Sequence, residues 1–142
     1  MQPQVRHLMN RDPVTIDQTY TVRETAQMMI DFGIDTLIVT DLDQILGAVT
    51  YRDLLEHLLS PGLDPDDITV GEITDEAIIL VRPTTSLSDA AEIMLEDDRT
   101  TLPVVDDDLV GYISFTDILR VIHLAKPRAQ REQSFDPAHY II

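Results

Sequence analysis

Residues 47–53 read GAVTYRD and residues 111–117 read GYISFTD. Each is a glycine, two apolar residues, a small hydroxyl residue, two variable positions and an aspartate. The match extends over most of the chain. On an offset of 65 residues Val5 falls on Val70 and Asp43 on Asp108. Thr19/Thr84, Ala26/Ala91, Met29/Met94, Leu37/Leu102, Val39/Val104 and Asp41/Asp106 are identities on that register. A one-residue deletion then changes the offset to 64 and sets Gly47 on Gly111, Asp53 on Asp117 and Leu55 on Leu119. Such regular repetition marks two like supersecondary units.

Each unit reads as β-α-β-β-α. A short extended piece comes first, DPVTI at 12–16 and AIILV at 77–81, and Pro13 biases Asp12 away from helix. The first helices open on Thr21 with Glu24 and on Ser86 with Asp89, the spacing of a capping box. Val22, Ala26, Met29 and Ile30 form one apolar face, matched by Leu87, Ala91, Met94 and Leu95. Hairpins follow: LIVT with ILGAV around the turn DLDQ, and LPVV with LVGYI around DDD. YRDLLEHLLS and FTDILRVIHLA close the units as second helices. Neither half can bury both sides of so small a sheet, so the halves pack on each other. The expected division is a first repeat at 1–60, a linker at 61–67, a second repeat at 68–126 and a tail at 127–142. The tail ends on Tyr140-Ile141-Ile142, apolar enough to pack on the core or on another subunit.

Composition narrows the function. With 26 acidic and 10 basic residues the formal net charge is −16, which repels a phosphate backbone and argues against nucleic-acid binding. Nine arginines and one lysine, Lys126, with 19 Asp against 7 Glu, resemble the acidic, lysine-poor surfaces of halophilic archaea; a soluble acidic protein from a GC-rich genome is the other reading. There is no cysteine, so disulfides, thiol catalysis and cysteine–zinc sites are excluded. No apolar run reaches membrane-spanning length and the N-terminus carries no signal-peptide stretch, so a cytoplasmic protein without membrane insertion is expected.

The repeated motif admits two readings. Thr50 with Asp53, and Ser114 with Asp117, are plausible helix N-caps with a favourable first-turn carboxylate, and the glycines let a strand pass close to a neighbour. The same geometry suits a nucleotide. A helix start attracts phosphate, a carboxylate one turn in can accept ribose hydroxyls, and glycine leaves room for a base or sugar to approach.

A tandem β-α-β-β-α repeat with this motif after each hairpin resembles a pair of cystathionine-β-synthase (CBS) domains, a Bateman module, over residues 5–125. DPVTI, GAVTYRDLL and LPVVDDDLVGYISFTDIL carry the resemblance. It implies an α/β (α+β) fold of two repeats packed through their sheets about a pseudo-twofold axis. It also implies two clefts that bind AMP, ADP, ATP or S-adenosylmethionine, and association into a homodimer. Carried over by position, one cleft joins Thr50, Arg52 and Asp53 to Ala77, Ile79 and Arg99, Thr100 and Thr101. There the aspartate would hold ribose, Thr50 and Arg52 would approach phosphates, and backbone near Ile79 and Thr101 would read adenine. The other cleft joins Ser114, Thr116 and Asp117 to Asp12, Val14 and Ile34, Asp35 and Thr36. Asp12 and Asp35 near its phosphate position, and Ile38 where the family often has proline, favour the Asp53 cleft for a charged nucleotide. Ala77 and Ile78, which replace the Asp-Pro of the first repeat, weigh slightly against it.

Other chemistry finds no residues. The four histidines (7, 57, 123 and 139) have no metal-ligand spacing, and no nucleophile–base pattern or Gly-rich phosphate loop stands out, so neither a metal site nor an enzyme is expected. Two functions remain: a sensor that modulates a separate enzyme or transporter, or a ligand-free CBS-fold scaffold acting through dimerisation.

Overall fold

Two hairpins, each backed by its own pair of helices, carry the chain in a computed structural model that describes residues 2–59 and 62–124. The first repeat runs β1 (Thr15–Asp17), α1 (Val22–Phe32), β2 (Thr36–Asp41), β3 (Gln44–Thr50) and α2 (Tyr51–Leu58). A short α3 (Val70–Ile73) leads into α4 (Leu87–Asp97), β4 (Thr101–Asp106), β5 (Asp108–Ser114) and α5 (Phe115–Leu124). No described helix is long and apolar enough to cross a membrane. The tail from 127 onward lies outside the described residues.

The gap between the repeats is explained by the hairpin turns. Leu42 and Asp43, both at positive φ, separate β2 from β3, whereas Asp107 alone separates β4 from β5. Both hairpins shift register at equivalent points, Val39/Thr40 and Val104/Val105. Thr21 and Glu24 form the full capping box, while Ser86 only accepts from the Asp89 amide, without the return bond.

One strand expected from the sequence is missing. β1 pairs in parallel with β2, but 77–81 makes only an isolated bridge, Val81 to Val104. The Gln18 amide donates to the Thr40 carbonyl at 2.9 Å; its counterpart Pro83 has no N–H, and the Arg82 guanidinium takes the Val105 carbonyl instead, at 3.2 Å. The first sheet therefore has three strands and the second two.

Alternation divides each hairpin between two neighbours. Leu37, Val39 and Val49 point to α1 and α2, and Leu102, Val104 and Ile113 to α4 and α5. On the other face Ile38, Ala48 and Tyr112 form a third cluster, where the sheets meet. The opening turns are exchanged: Val5 and Met9 pack in the second core, and Val70 in the first. Ile30 and Leu95, expected on the apolar faces, are 73% and 71% exposed. One residue is a 100° step around a helix, which turns them away from the sheet that buries Met29 and Met94.

Candidate functional site

The glycines that open the repeated motif serve the crossing of the two repeats. A Cβ on Gly47 would sit 2.3 Å from the Asp75 carbonyl oxygen, and one on Gly111 2.2 Å from that of Asn10. Both are impossible contacts. The segment entering each repeat lies against the hairpin of the other: Ala48 exchanges two backbone bonds with Asp75 (2.9 and 3.0 Å), and Tyr112 two with Asn10 (3.0 and 2.8 Å). The space left by glycine is thus filled by backbone rather than offered to a base or sugar. Beside each crossing a cleft opens, walled by a helix start from one repeat and the entering segment of the other.

The first cleft, about 50 Å³, brings Thr50 and Asp53 together with Ala77, Ile79 and Arg99. Asp75, Ala48 and Leu102 complete its walls with Thr36. Asp53 closes a capping box: its Oδ2 accepts from the Thr50 amide at 2.9 Å and hydroxyl at 3.0 Å, and its own amide donates to Thr50 Oγ1 at 3.2 Å. The capping reading is therefore realised, and it leaves Oδ1 without a hydrogen-bond partner among the described residues. The Arg99 Nε is buried and has no acceptor. A buried N–H of that kind is a donor awaiting an acceptor.

The second cleft, about 150 Å³, gathers Ser114 and Asp117 with Asp12, Val14 and Ile34, and adds Asn10, Phe32 and Tyr112. Its cap is half formed: the Asp117 amide donates to Ser114 Oγ at 3.1 Å, and the Asp117 carboxylate meets the exposed Arg120 at 3.4 Å. No basic residue lines it. A phosphate about 5 Å from one of its two carboxylates would feel roughly 3 kcal/mol of repulsion at an effective dielectric of 20.

Tyr112 sets this cleft apart. Its hydroxyl accepts from the Ile38 amide at 3.1 Å and donates to the Val14 carbonyl at 2.6 Å, where the β1–β2 ladder begins. Burial pushes its ionisation well above the ordinary phenol value, partly offset by the Ile38 amide. The counterparts in the first cleft are Ala48, Pro103 and Ile79, which supply neither a hydroxyl nor the amide. Ile79 has no backbone partner among the described residues, so its amide and carbonyl remain available.

Several expected positions fall elsewhere. Asp35 lines neither cleft. It is 8% exposed and its Oδ2 accepts from the Thr100 amide at 2.7 Å and hydroxyl at 2.5 Å. Asp35 and Thr100 are counterparts, so they meet on the pseudo-twofold axis. Thr36 lines the first cleft and Thr101 the second, the reverse of expectation, because cross-strand register seats Thr36 opposite Thr50 and Thr101 opposite Ser114. The Arg52 side chain, 69% exposed, points to Asp98 at 3.0 Å, and Thr116 is exposed and outside both linings. Asp75, Phe32, Asn10 and Tyr112 were not anticipated. Of these only Tyr112 adjoins a repeated glycine in sequence; the other three carry no such signal.

Comparison with known proteins places these features. The sequence profile of the CBS domain matches residues 5–60 and again 70–124. Hypoxic response protein 1 of Mycobacterium tuberculosis is 32% identical over 117 residues, 81% of this chain and 82% of that protein. Some relatives are longer: the chain spans 61% of an uncharacterized protein of Methanopyrus kandleri, 32% identical over 120 residues. Among solved structures, a CBS-domain pair in complex with 5-methylthioadenosine and S-adenosyl-L-methionine superposes with a TM-score of 0.75 at 23% identity, over 89% of this chain and all of that one. The cytosolic domain of the Mg²⁺ channel MgtE in complex with ATP gives 0.66 at 28% identity, over 84% of this chain and 48% of that one.

Proposed function

The chain belongs to the CBS-domain family, and from that premise we propose that it is a cytoplasmic regulatory module whose clefts bind adenosyl ligands and whose repeats signal occupancy to a partner protein. CBS-domain pairs are typically regulatory, ligand-binding units, and no reaction is assigned here. The observation that carries the reading is the Asp53 cleft. A carboxylate oxygen left free by the cap, the side chain of Arg99, whose buried Nε has no acceptor, and an unpaired backbone edge at Ile79 come from both repeats to line it. They suit ribose, phosphate or carboxylate, and the edge of a base. The bound ATP of the channel domain and the adenosyl ligands of the CBS pair support the ligand class.

Size suggests how binding becomes a signal. Ligand pockets commonly run from about 300 Å³ upward, and both clefts are smaller. A nucleoside therefore parts the walls as it enters, and those walls belong to different repeats. Ligand would favour the parted arrangement by its differential affinity for it, and a partner would read that arrangement.

The outer helix faces support a homodimer. Ile30, Leu55 and Leu59 in the first repeat are 73%, 49% and 80% exposed, and Leu95 and Leu119 in the second 71% and 47%. Apolar patches of this kind mark association surfaces. They equally favour the second reading, a ligand-free scaffold acting through dimerisation.

Isothermal titration of AMP, ADP, ATP and S-adenosylmethionine into the folded protein, at low salt and in molar KCl, separates the two. The sensor reading expects saturable binding by at least one ligand that is lost on replacing Asp53 or Asp117 by alanine. Absence of heat with all four ligands leaves the scaffold.

A further inference from the structure

The two clefts differ in charge at three pairs of equivalent positions: Asp75 puts a carboxylate in the Asp53 cleft where the neutral Asn10 lines the other, and two further pairs run the opposite way. Asp12 stands in one where Ala77 stands in the other, and Ile34 where Arg99 stands. Building on the adenosyl reading above, we propose that the Asp117 cleft selects an uncharged or cationic nucleoside and refuses phosphate, leaving phosphorylated nucleotides to the Asp53 cleft.

Charge and room point in opposite directions. The Asp117 cleft is the larger, about 150 Å³ against about 50 Å³, so size alone would send any ligand there first. Each lining holds two carboxylates, but only the smaller cleft also holds a cation, Arg99, whereas the larger has just the exposed Arg120 at 3.4 Å from Asp117; for an anion that difference raises a barrier which extra room does not remove. In the smaller cleft the buried Arg99 Nε lacks an acceptor, and an anionic oxygen supplies one.

What remains in the Asp117 cleft suits a flat ring with hydroxyls. Phe32, 52% exposed, offers aromatic surface in the lining, against which a base can stack, while Tyr112, though it lines the cleft, is only 5% exposed. The Tyr112 hydroxyl is already bonded to Val14 and Ile38, so it is committed to the fold and not to a ligand. Asp117 can accept ribose hydroxyls, and Asp12 favours a positive centre where a phosphate would otherwise lie.

The test is a paired titration of the full chain at about 0.15 M salt, where screening leaves short-range charge effects intact. AMP should bind at one equivalent per chain and be lost in both Asp53→Ala and Asp53→Asn, the second of which keeps an acceptor for the helix cap. Adenosine titrated into the AMP-saturated protein should add a second equivalent, lost in Asp117→Ala. The Asp12→Ala/Ile34→Arg double variant, which removes one carboxylate and adds the lining cation, should take up a second AMP at least about tenfold more tightly than the parent does. Two AMP equivalents in the parent, or AMP binding that falls with Asp117→Ala, overturn this inference while leaving the sensor reading intact. So does the absence of an adenosine equivalent beyond AMP. No binding of either compound by folded protein overturns this inference, and the sensor reading falls with it only when ADP, ATP and S-adenosylmethionine also give no heat.

Discussion

At Gly47 and Gly111 the two repeats are the same object: a methyl group would meet a carbonyl oxygen at 2.3 Å in one and 2.2 Å in the other. One residue further on, Ala48 and Tyr112 share their backbone bonds and nothing else. The pattern holds through both halves. Positions where backbone crosses backbone, or where a helix starts, are written twice in nearly the same residues. Positions facing the clefts have diverged: Ala77 against Asp12, Arg99 against Ile34, Ala48 against Tyr112. Duplication has kept the joints and let the two sites separate.

The strongest way to break that comparison is at the joints. Gly47→Ala and Gly111→Ala each drive a methyl group into the other repeat's main chain, which cannot turn aside as a side chain could. Each should cost on the order of 3 kcal/mol, read as a lowered midpoint in urea or heat. The two losses should be similar. A large loss at one glycine and a small one at the other would show that the crossings are not equivalent supports.

Tyr112 tests the divergent positions. Tyr112→Phe keeps the ring and strands the Val14 carbonyl and Ile38 amide, for about 1–3 kcal/mol; its counterpart Ala48 has no such contact to lose. The pH dependence has a defined sign. Burial raises the folded ionisation of Tyr112 above its ordinary value of 10.0, so the folded state holds that proton more firmly than the unfolded chain. The contribution is whole below about pH 10 and is lost as the pH climbs toward the higher folded value. Denaturation midpoints at pH 8 and pH 11 should therefore converge between parent and Tyr112→Phe. A constant gap would place the phenol's role elsewhere.

How much of this the sequence showed depends on how far each contact reaches. The repeat, the hairpins and the caps at Thr21 and Thr50 are legible because they rest on local spacing or on the repeat itself; the grouping of Asp53 with Ala77, Ile79 and Arg99 came only from the resemblance to CBS domains. The Asp35–Thr100 pair was not legible, since it requires knowing that equivalent positions meet on the axis. Thr36 and Thr101 were exchanged between clefts because a linear reading has no cross-strand register. Helical period marked Ile30 and Leu95 as apolar without showing which arc the sheet would cover. The short strand expected at 77–81 failed at Pro83, whose missing N–H weighs only once its partner carbonyl is known. Tyr112 reads as one more apolar strand residue until its hydroxyl is found between two strands of the other repeat.

The smallest effects separate capping from binding within the Asp53 cleft itself. Thr50 and Asp53 form a complete capping box, whereas Ser114 receives a single bond from the Asp117 amide. Thr50→Ala should then cost about 1 kcal/mol and Ser114→Ala nearer 0.5 kcal/mol. Asp53→Asn should cost only a few tenths, because the amide oxygen still accepts from the Thr50 amide. If Asp53 were present for the cap alone, that near-neutral substitution would also leave nucleotide titrations unchanged. The sensor reading requires the opposite, since the asparagine surrenders an anionic acceptor at Oδ1, the oxygen the cap does not use. Stability and binding must therefore part company at this one position, with the denaturation midpoint nearly still and the heat of binding gone.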